Sequence, residues 1–251
     1  MTVSILLYHE ISGIKAGAHP YAVSVEAFEK QLQYLKAHQY RTILIAEYVE
    51  AEQNNKRDTD NRVILTFDDT HISNYVSAFP LLMKYGYCAE FFVVTKFIGR
   101  ERNVLNRQQL IQMSDHGMSI QSHTHTHAFL NELSRDQIYS ELMISKQIVE
   151  EIVGKRVTGL SCPGGRYTRS VVSIAQDVGY ERVCVSRPGV RGVTDDMKVL
   201  GRFLVTSGTD LDSFWKIVER DRAYVARKIL EYQIKGMLKK VLRNGLYDKV
   251  W

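Results

Sequence analysis

The chain has 251 residues, of which 45% are hydrophobic and 24% are charged, and its formal net charge is +5. These are the proportions of a globular protein, and they exclude a disordered, fibrous or collagen-like chain. No apolar run approaches the roughly 20 residues of a membrane span, and Met1 is not followed by a secretion signal. We therefore expect a single-domain protein of the cytoplasm.

Short apolar segments alternate with longer amphipathic ones, which predicts β/α units around a parallel sheet. Helices are expected at residues 24–37, 74–85, 106–116 and 169–178, and a long one follows Ser134. The predicted strands cover residues 3–8, 42–45, 62–67, 89–94, 118–121, 159–162, 182–185 and 200–204. Eight strand segments with helices between them favour an α/β barrel of the TIM type over an open sheet, and the chemistry of such barrels lies at the carboxyl ends of the strands.

The positive charge is concentrated near the carboxyl terminus. Residues 216–251 contain ten Lys and Arg against four acidic side chains. We divide the chain into a barrel, residues 1–210, and a basic amphipathic helical extension, residues 211–251. Such a helix either lies on an anionic membrane surface or packs its apolar face on the barrel. The rest of the chain is nearly neutral and has no recognition motif, so nucleic acid binding is not expected.

Three groups of polar residues follow predicted strands. Asp68 and Asp69 end the strand at 62–67, where one carboxylate can bind a metal while its neighbour takes a proton. The alternative is a loop pair that caps the following helix.

The second group contains three histidines at alternate positions after the strand at 118–121: His123, His125 and His127. Imidazole and carboxylate suit a zinc-like ion with an open position for water. The spacing alone does not say which two histidines bind, and a metal-free surface run is the alternative.

The third group is a glycine-rich turn after the strand at 159–162, with the sequence Ser161-Cys162-Pro163-Gly164-Gly165-Arg166-Tyr167. Backbone N–H groups in such a turn can face a developing oxyanion, although Pro-Gly-Gly is also an ordinary turn sequence.

In this order, the three groups resemble the motifs of the polysaccharide deacetylase family, carbohydrate esterase family four, over residues 3–205. Leu6-Leu7-Tyr8-His9-Glu10 and the pattern at 28–35 resemble the branch with poly-N-acetylglucosamine and exopolysaccharide-cluster deacetylases. Residues 242–248 are similar to the ends of some of these proteins.

The resemblance implies a distorted (β/α)7-8 barrel and a role for each group. Asp68 is the general base, Asp69, His123 and His127 are the metal ligands, and the N–H of Gly164 faces the oxyanion. Pro163, Gly165, Arg166 and Tyr167 then border the substrate. The implied cofactor is a divalent ion, zinc first, with cobalt or nickel as alternatives.

The sequence also departs from the family pattern. Thr70 replaces the usual glycine, and because a β-branched residue resists positive φ, the loop should be built differently. Ser161 replaces the arginine that orients the base, and either Arg166 or Arg202 could substitute for it. The usual general-acid histidine is missing, and His9 is the candidate replacement; its alternative is a hydrogen-bonded core histidine.

The resulting prediction is a metal-dependent hydrolase that removes an N-acetyl group from a sugar in glycan or exopolysaccharide biosynthesis. The substrate would be a polysaccharide, an oligosaccharide or a lipid-linked intermediate, and the last would place the enzyme at the inner membrane surface. Two alternatives are a hydrolase of another acyl group, such as a deformylase, and a carbohydrate-binding relic without turnover.

Overall fold

The computed structural model describes residues 3–13, 19–54, 61–188, 191–194 and 197–241. The strands are β1 (Ser4–Tyr8), β2 (Glu10–Ser12), β3 (Ala22–Ser24), β4 (Arg41–Thr42), β5 (Arg62–Phe67), β6 (Glu90–Val93), β7 (Ser119–Ser122), β8 (Gly159–Ser161), β9 (Arg182–Val185), β10 (Arg191–Thr194), β11 (Met197–Gly201) and β12 (Phe203–Leu204). The helices are α1 (Val25–Ala37), α2 (Ile45–Gln53), α3 (Phe79–Tyr85), α4 (Arg107–Asp115), α5 (Arg135–Val153), α6 (Arg169–Val178), α7 (Leu211–Val218) and α8 (Arg222–Val241).

A parallel sheet, nearly closed into a barrel, forms the centre of the fold. Its order is β11-β9-β8-β7-β6-β5-β1-β12, and β11 and β12 are consecutive segments separated only by Arg202. Since β11 pairs with β9 and β12 pairs with β1, this one stretch of chain connects the two ends of the sheet. The predicted (β/α) barrel is confirmed, and the predicted strand at 200–204 is divided at Arg202.

Successive side chains of a strand point to opposite faces of the sheet, and this alternation divides the apolar core into two parts. The larger part lies between the strands and the surrounding helices. The smaller part lies inside the barrel and contains Ile5, Ile64, Phe92, Cys184 and Leu200, with Ile45 and Tyr48 of α2 packed against it. The same alternation continues from Ile64 to Asp68 and from Leu200 to Arg202, which brings polar side chains to the carboxyl ends of the strands.

Local capping explains where several helices begin. Ser24 accepts a hydrogen bond from Ala27 N at the start of α1, and Ser134 forms a capping box with Gln137 at the start of α5. The predicted strand at 42–45 is wrong beyond Thr42, because Ile45 starts helix α2 and its N–H donates to the buried Glu90 carboxylate at 2.7 Å. The polar sequence at residues 54–61 predicts a surface loop, and residues 55–60 of this loop lie outside the described part of the chain.

The predicted single helix of the extension is two helices. Arg220, with a φ of 58°, breaks the chain direction between α7 and α8, and its guanidinium donates to Val3 O at 3.1 Å. Helix α8 packs through Tyr224, whereas Leu230 is 55% and Ile234 is 42% exposed. In the described ranges, every helix is too short or too polar to cross a bilayer. The boundary of the extension at 210 stays a prediction, and residues 242–248 lie outside the described part.

Candidate metal and catalytic centre

Four polar side chains from four strands meet at the carboxyl end of the barrel. Asp68 follows β5, His123 follows β7, Ser161 ends β8 and Arg202 separates β11 from β12. Each of the four residues is at most 2% exposed. Burying so many polar groups is costly unless they bond to one another, and they do.

The Asp68 carboxylate is held on both of its oxygens. Arg202 donates from Nη1 to Oδ1 at 2.8 Å and from Nη2 to Oδ2 at 2.7 Å, and Ser161 Oγ donates to Oδ2 at 2.9 Å. Burial alone would raise the pKa of Asp68, but the charges of Arg202 and His123 hold it below its usual value. Asp68 is therefore an ionised carboxylate that is held in one position.

Of the two arginines considered as partners of Asp68, Arg202 is the one in contact. Arg166 instead pairs with Glu132 at 2.7 Å and lies over the Phe129 ring at 3.9 Å from its centroid. Ser161 occupies the position where the family pattern has arginine, and it contributes a hydroxyl to the same carboxylate.

Asp69, His123 and His127 form a compact three-residue group whose candidate ligand atoms all lie within 4.8 Å of one another. Asp69 Oδ1 is 3.2 Å from Nε2 of His123 and 3.2 Å from Nε2 of His127. Two imidazoles and one carboxylate are a common ligand set of catalytic zinc sites.

The hydrogen bond on the far side of His123 shows that this group fits a cation. Nδ1 of His123 is 2.8 Å from the Ser161 carbonyl oxygen, which can only accept, so Nδ1 bears the hydrogen. In a neutral ring, Nε2 then has a lone pair facing Asp69 Oδ1, which is itself buried without a hydrogen-bond partner in the described structure. Two facing lone pairs repel unless a cation lies between them, and a carbonyl behind a ligating histidine is the usual second partner.

His125, the third histidine of the run, points elsewhere. Its Nδ1 is 2.9 Å from Thr95 Oγ1, and it does not belong to the three-residue group. Glu141 of α5, which our sequence reasoning missed, fixes this loop by accepting from the N–H groups of His125 and Thr126 at 2.9 and 2.8 Å. No local pattern marks Glu141, because the contact spans fifteen residues of chain.

The backbone of the site is strained. Of the six described non-glycine residues with positive φ, four lie here: Asp69, Thr70, Thr124 and His127. The expectation that Thr70 would force a different loop is wrong, since its φ is 63°. The Thr70 side chain offsets the conformational cost of this positive φ, because its Oγ1 accepts a hydrogen bond from Val94 N at 2.7 Å. Such strain persists where surrounding contacts determine the conformation, which is common at functional sites.

The glycine-rich turn lies beside this centre as a short 3-10 turn, Pro163–Gly165. Gly164 has a φ of 61° and lies under the Phe129 ring, where an added Cβ would be 2.9 Å from the nearest ring carbon. Gly165 packs on the backbone of Ser186. Pro163 is buried and Tyr167 is partly buried against the core.

His9, at the end of β1, also reaches the centre. Its Nε2 is 3.8 Å from Asp69 Oδ2, and its ring lies 5.0 Å from that of Tyr21. Burial lowers the pKa of His9, and its Nδ1 is buried without a partner among the described residues. His9 is thus not a core histidine satisfied by hydrogen bonds at both nitrogens.

The polysaccharide deacetylase family model matches residues 55–183, just over half of the chain. YxkH of Bacillus subtilis, whose name assigns it to the polysaccharide deacetylases, is 32% identical over 215 residues, or 86% of this chain and 75% of YxkH. The chain belongs to the polysaccharide deacetylase family, hydrolases that act on the amide bonds of N-acetylated sugars. A poly-beta-1,6-N-acetyl-D-glucosamine N-deacetylase of Staphylococcus epidermidis is 34% identical over 42% of this chain, a match that spans 38% of that protein.

Solved structures agree with this assignment. The Streptococcus pyogenes deacetylase PplD, in complex with acetate, superposes with a TM-score of 0.79 and 27% identity over 86% of this chain and 97% of PplD. IcaB of Ammonifex degensii superposes with a TM-score of 0.73 over 89% of this chain and 96% of IcaB, and at 23% identity this likeness concerns the fold. The predicted family and barrel are confirmed.

Proposed function

We propose that the protein is a metal-dependent N-deacetylase of an N-acetylated glycan, acting in glycan or exopolysaccharide biosynthesis. The observation that supports this most is the group of Asp69, His123 and His127, whose candidate ligand atoms all lie within 4.8 Å of one another beside the buried carboxylate of Asp68. The nitrogen and oxygen donors suit zinc, and cobalt or nickel would suit the same set.

Each residue of the centre has a place in amide hydrolysis. A divalent ion at these ligands supplies a Lewis acid, which lowers the pKa of water and polarises a carbonyl oxygen. Asp68 is the proton acceptor, held in position by Arg202 and Ser161. We assign the Gly164 N–H to the stabilisation of the developing oxyanion, in the manner of an oxyanion hole.

His9 is the proposed proton donor to the leaving amine. An amine leaves an amide readily only when it is protonated, and a histidine with a lowered pKa gives up a proton easily once it has one. The site residues Pro163, Gly165, Arg166 and Tyr167 border the turn at Gly164, and we assign them to substrate contact.

The test is acetate release from N-acetylglucosamine oligomers by the purified protein, stripped with a chelator and reloaded with zinc, cobalt or nickel. Asp68→Asn is run in parallel and should keep its metal while turnover falls by at least about 100-fold, since general-base contributions are of this size. Formate release from N-formyl sugars is measured beside it. Release of formate alone would point to a deformylase, and metal binding without either product would point to a binding protein.

We further propose that helix α8 contacts an anionic membrane, which would bring the enzyme to a lipid-linked sugar at the inner membrane surface. Its exposed Leu230 and Ile234 and the surplus of Lys and Arg in residues 216–251 support this. Apolar side chains enter the headgroup region while each nearby cation adds about 1 kcal/mol.

A further inference from the structure

A cavity lies beside the metal-ligand group, between the loops that follow β5 and β6. It has a volume of about 430 Å³ and shares Asp69 with the metal-ligand group. Its other lining residues come from the loop after β5 and the loop after β6: His71, Lys96, Phe97, Arg100, Glu101, Asn103 and Val104. A sugar in this cavity would be the direct neighbour of the sugar whose acetamide reacts.

The wall formed by the loop after β6 is fixed to the catalytic loops by backbone hydrogen bonds. Ile72 N donates to Asn103 O at 2.8 Å, and Leu105 N donates to Thr70 O at 3.0 Å. Lys96 N donates to the carbonyl of His125 at 2.9 Å. The backbone of this wall therefore keeps a defined position relative to the reacting centre.

This wall has cations without partners. Lys96 and Arg100 are exposed, and neither forms an ion pair in the described structure, although Lys84 and Arg107 each bind a carboxylate at 2.7 and 2.8 Å. Glu101 offsets only one of the two charges, and the Asp69 carboxylate belongs to the metal-ligand group. Phe97, 38% exposed, adds an apolar surface of the kind that sugar rings stack on.

We propose that this cavity binds an anionic group, a carboxylate or a phosphate, next to the N-acetylated sugar. The inference rests on the proposed function and narrows its substrate class from N-acetylated glycans in general to acidic ones. Lys96 and Arg100 are specificity-determining residues, because an acidic glycan supplies the negative charge that a neutral glycan lacks.

The experiment compares kcat/KM for acetate release from three oligomers by the metal-loaded full chain. One oligomer is neutral N-acetylglucosamine, one alternates N-acetylglucosamine with glucuronic acid, and one contains N-acetylglucosamine linked through phosphodiesters. The expected result is that at least one acidic oligomer exceeds the neutral one by about tenfold at low salt, a gap that narrows as salt screens exposed charges. The two acidic arms distinguish carboxylate from phosphate recognition.

The Lys96→Gln/Arg100→Gln double variant should lose this preference. Arg102→Gln is the matched control, because Arg102 is an exposed cation of the same loop that does not line the cavity. A wild type without preference, or an equal loss of preference in Arg102→Gln, would overturn the inference.

Binding of the three oligomers to metal-loaded Asp68→Asn, measured by calorimetry, separates this inference from the proposed function. If no oligomer releases acetate, the deacetylase proposal fails, and tighter binding of an acidic oligomer that Lys96→Gln/Arg100→Gln abolishes still supports the anionic cavity. Equal binding of all three oligomers contradicts it.

Discussion

Arg202 is the residue on which the position of the Asp68 carboxylate depends. The guanidinium is fully buried, binds both carboxylate oxygens and donates to Ser161 Oγ at 2.7 Å. Removing one partner of a buried ion pair leaves the other charge uncompensated, which costs about 3–5 kcal/mol. Arg202→Met should therefore lower the free energy of unfolding by about that amount and abolish acetate release.

Urea denaturation measures this effect, with Arg166→Met as the control. Arg166 pairs with the half-exposed Glu132 at the surface, so its loss should cost within about 1 kcal/mol. Equal destabilisation by the two substitutions would show that the buried pair has no special role.

The buried carboxyl group of Glu90 should make the free energy of unfolding depend on pH. Burial raises the pKa of this carboxyl to about 6, from an ordinary value of 4.5, against the lowering effect of Arg182. The pKa of Glu90 is higher in the folded protein than in the unfolded chain. The contribution of Glu90 to the free energy of unfolding is therefore complete below about pH 4.5 and is lost as the pH rises through 6. The loss amounts to about 2 kcal/mol.

Glu90→Gln keeps an acceptor for the Ile45 N–H but cannot ionise. We expect the unfolding free energy of the variant, relative to wild type, to rise between pH 4.5 and pH 7. Urea titrations across this range measure the difference, and parallel pH profiles for the two proteins would refute the assignment.

At the scale of elements, the turn after β8 depends on Gly165. Its φ is +66°, and an added Cβ would be 2.7 Å from the backbone nitrogen of Ser186. Gly154 ends α5 with a similar φ of +63° and has no atom within 4 Å of an added Cβ. Gly154→Ala therefore incurs only the conformational cost of about 1 kcal/mol, whereas Gly165→Ala adds a steric conflict worth a further 1–3 kcal/mol, roughly.

Thermal or urea unfolding of the two variants tests this difference. Equal losses of unfolding free energy in the two variants would show that the turn can move away from Ser186 without loss of stability. Gly165→Ala should also reduce acetate release, because the neighbouring Gly164 N–H would shift.

The elements that the sequence predicts well are those determined by local patterns. The strand before Asp68 and the capped helices after Ser24 and Ser134 follow from alternation and capping within a few residues. The polar residues at strand ends were predicted to converge because parallel strands direct their carboxyl ends to one edge. The three polar groups accordingly lie together in the structure.

The contacts that the sequence did not predict are long-range ones. The choice between Arg166 and Arg202 depends on which side chain reaches Asp68, 134 residues from Arg202 in the chain. Helix α2 starts at Ile45 because its N–H meets Glu90, a partner 45 residues away. The cations beside Asp69 belong to a loop with no motif of its own.

At the scale of the whole molecule, the distribution of charge separates a nearly neutral barrel from a basic carboxyl-terminal segment. If α8 contacts membranes, the full chain should sediment with vesicles of phosphatidylglycerol and phosphatidylcholine but not with phosphatidylcholine alone. Leu230→Glu/Ile234→Glu should weaken this binding by about tenfold or more, because two apolar contacts are replaced by charges that anionic lipid repels.

Val76→Glu is the control for this measurement, because Val76 is 58% exposed but lies near the start of α3, outside the basic segment. Equal binding to neutral vesicles, or no change in the double variant, would contradict membrane contact. Self-association of the wild type that the double variant abolishes would show instead that this face binds a second copy.

Deacetylation should require an ion held by Asp69, His123 and His127. The most direct measurement determines metal per chain and acetate release together in wild type, His123→Ala and His125→Ala. We predict one ion per chain and full acetate release in wild type, little change in His125→Ala, and loss of both in His123→Ala. A full metal load in His123→Ala, or loss of metal in His125→Ala, would contradict it.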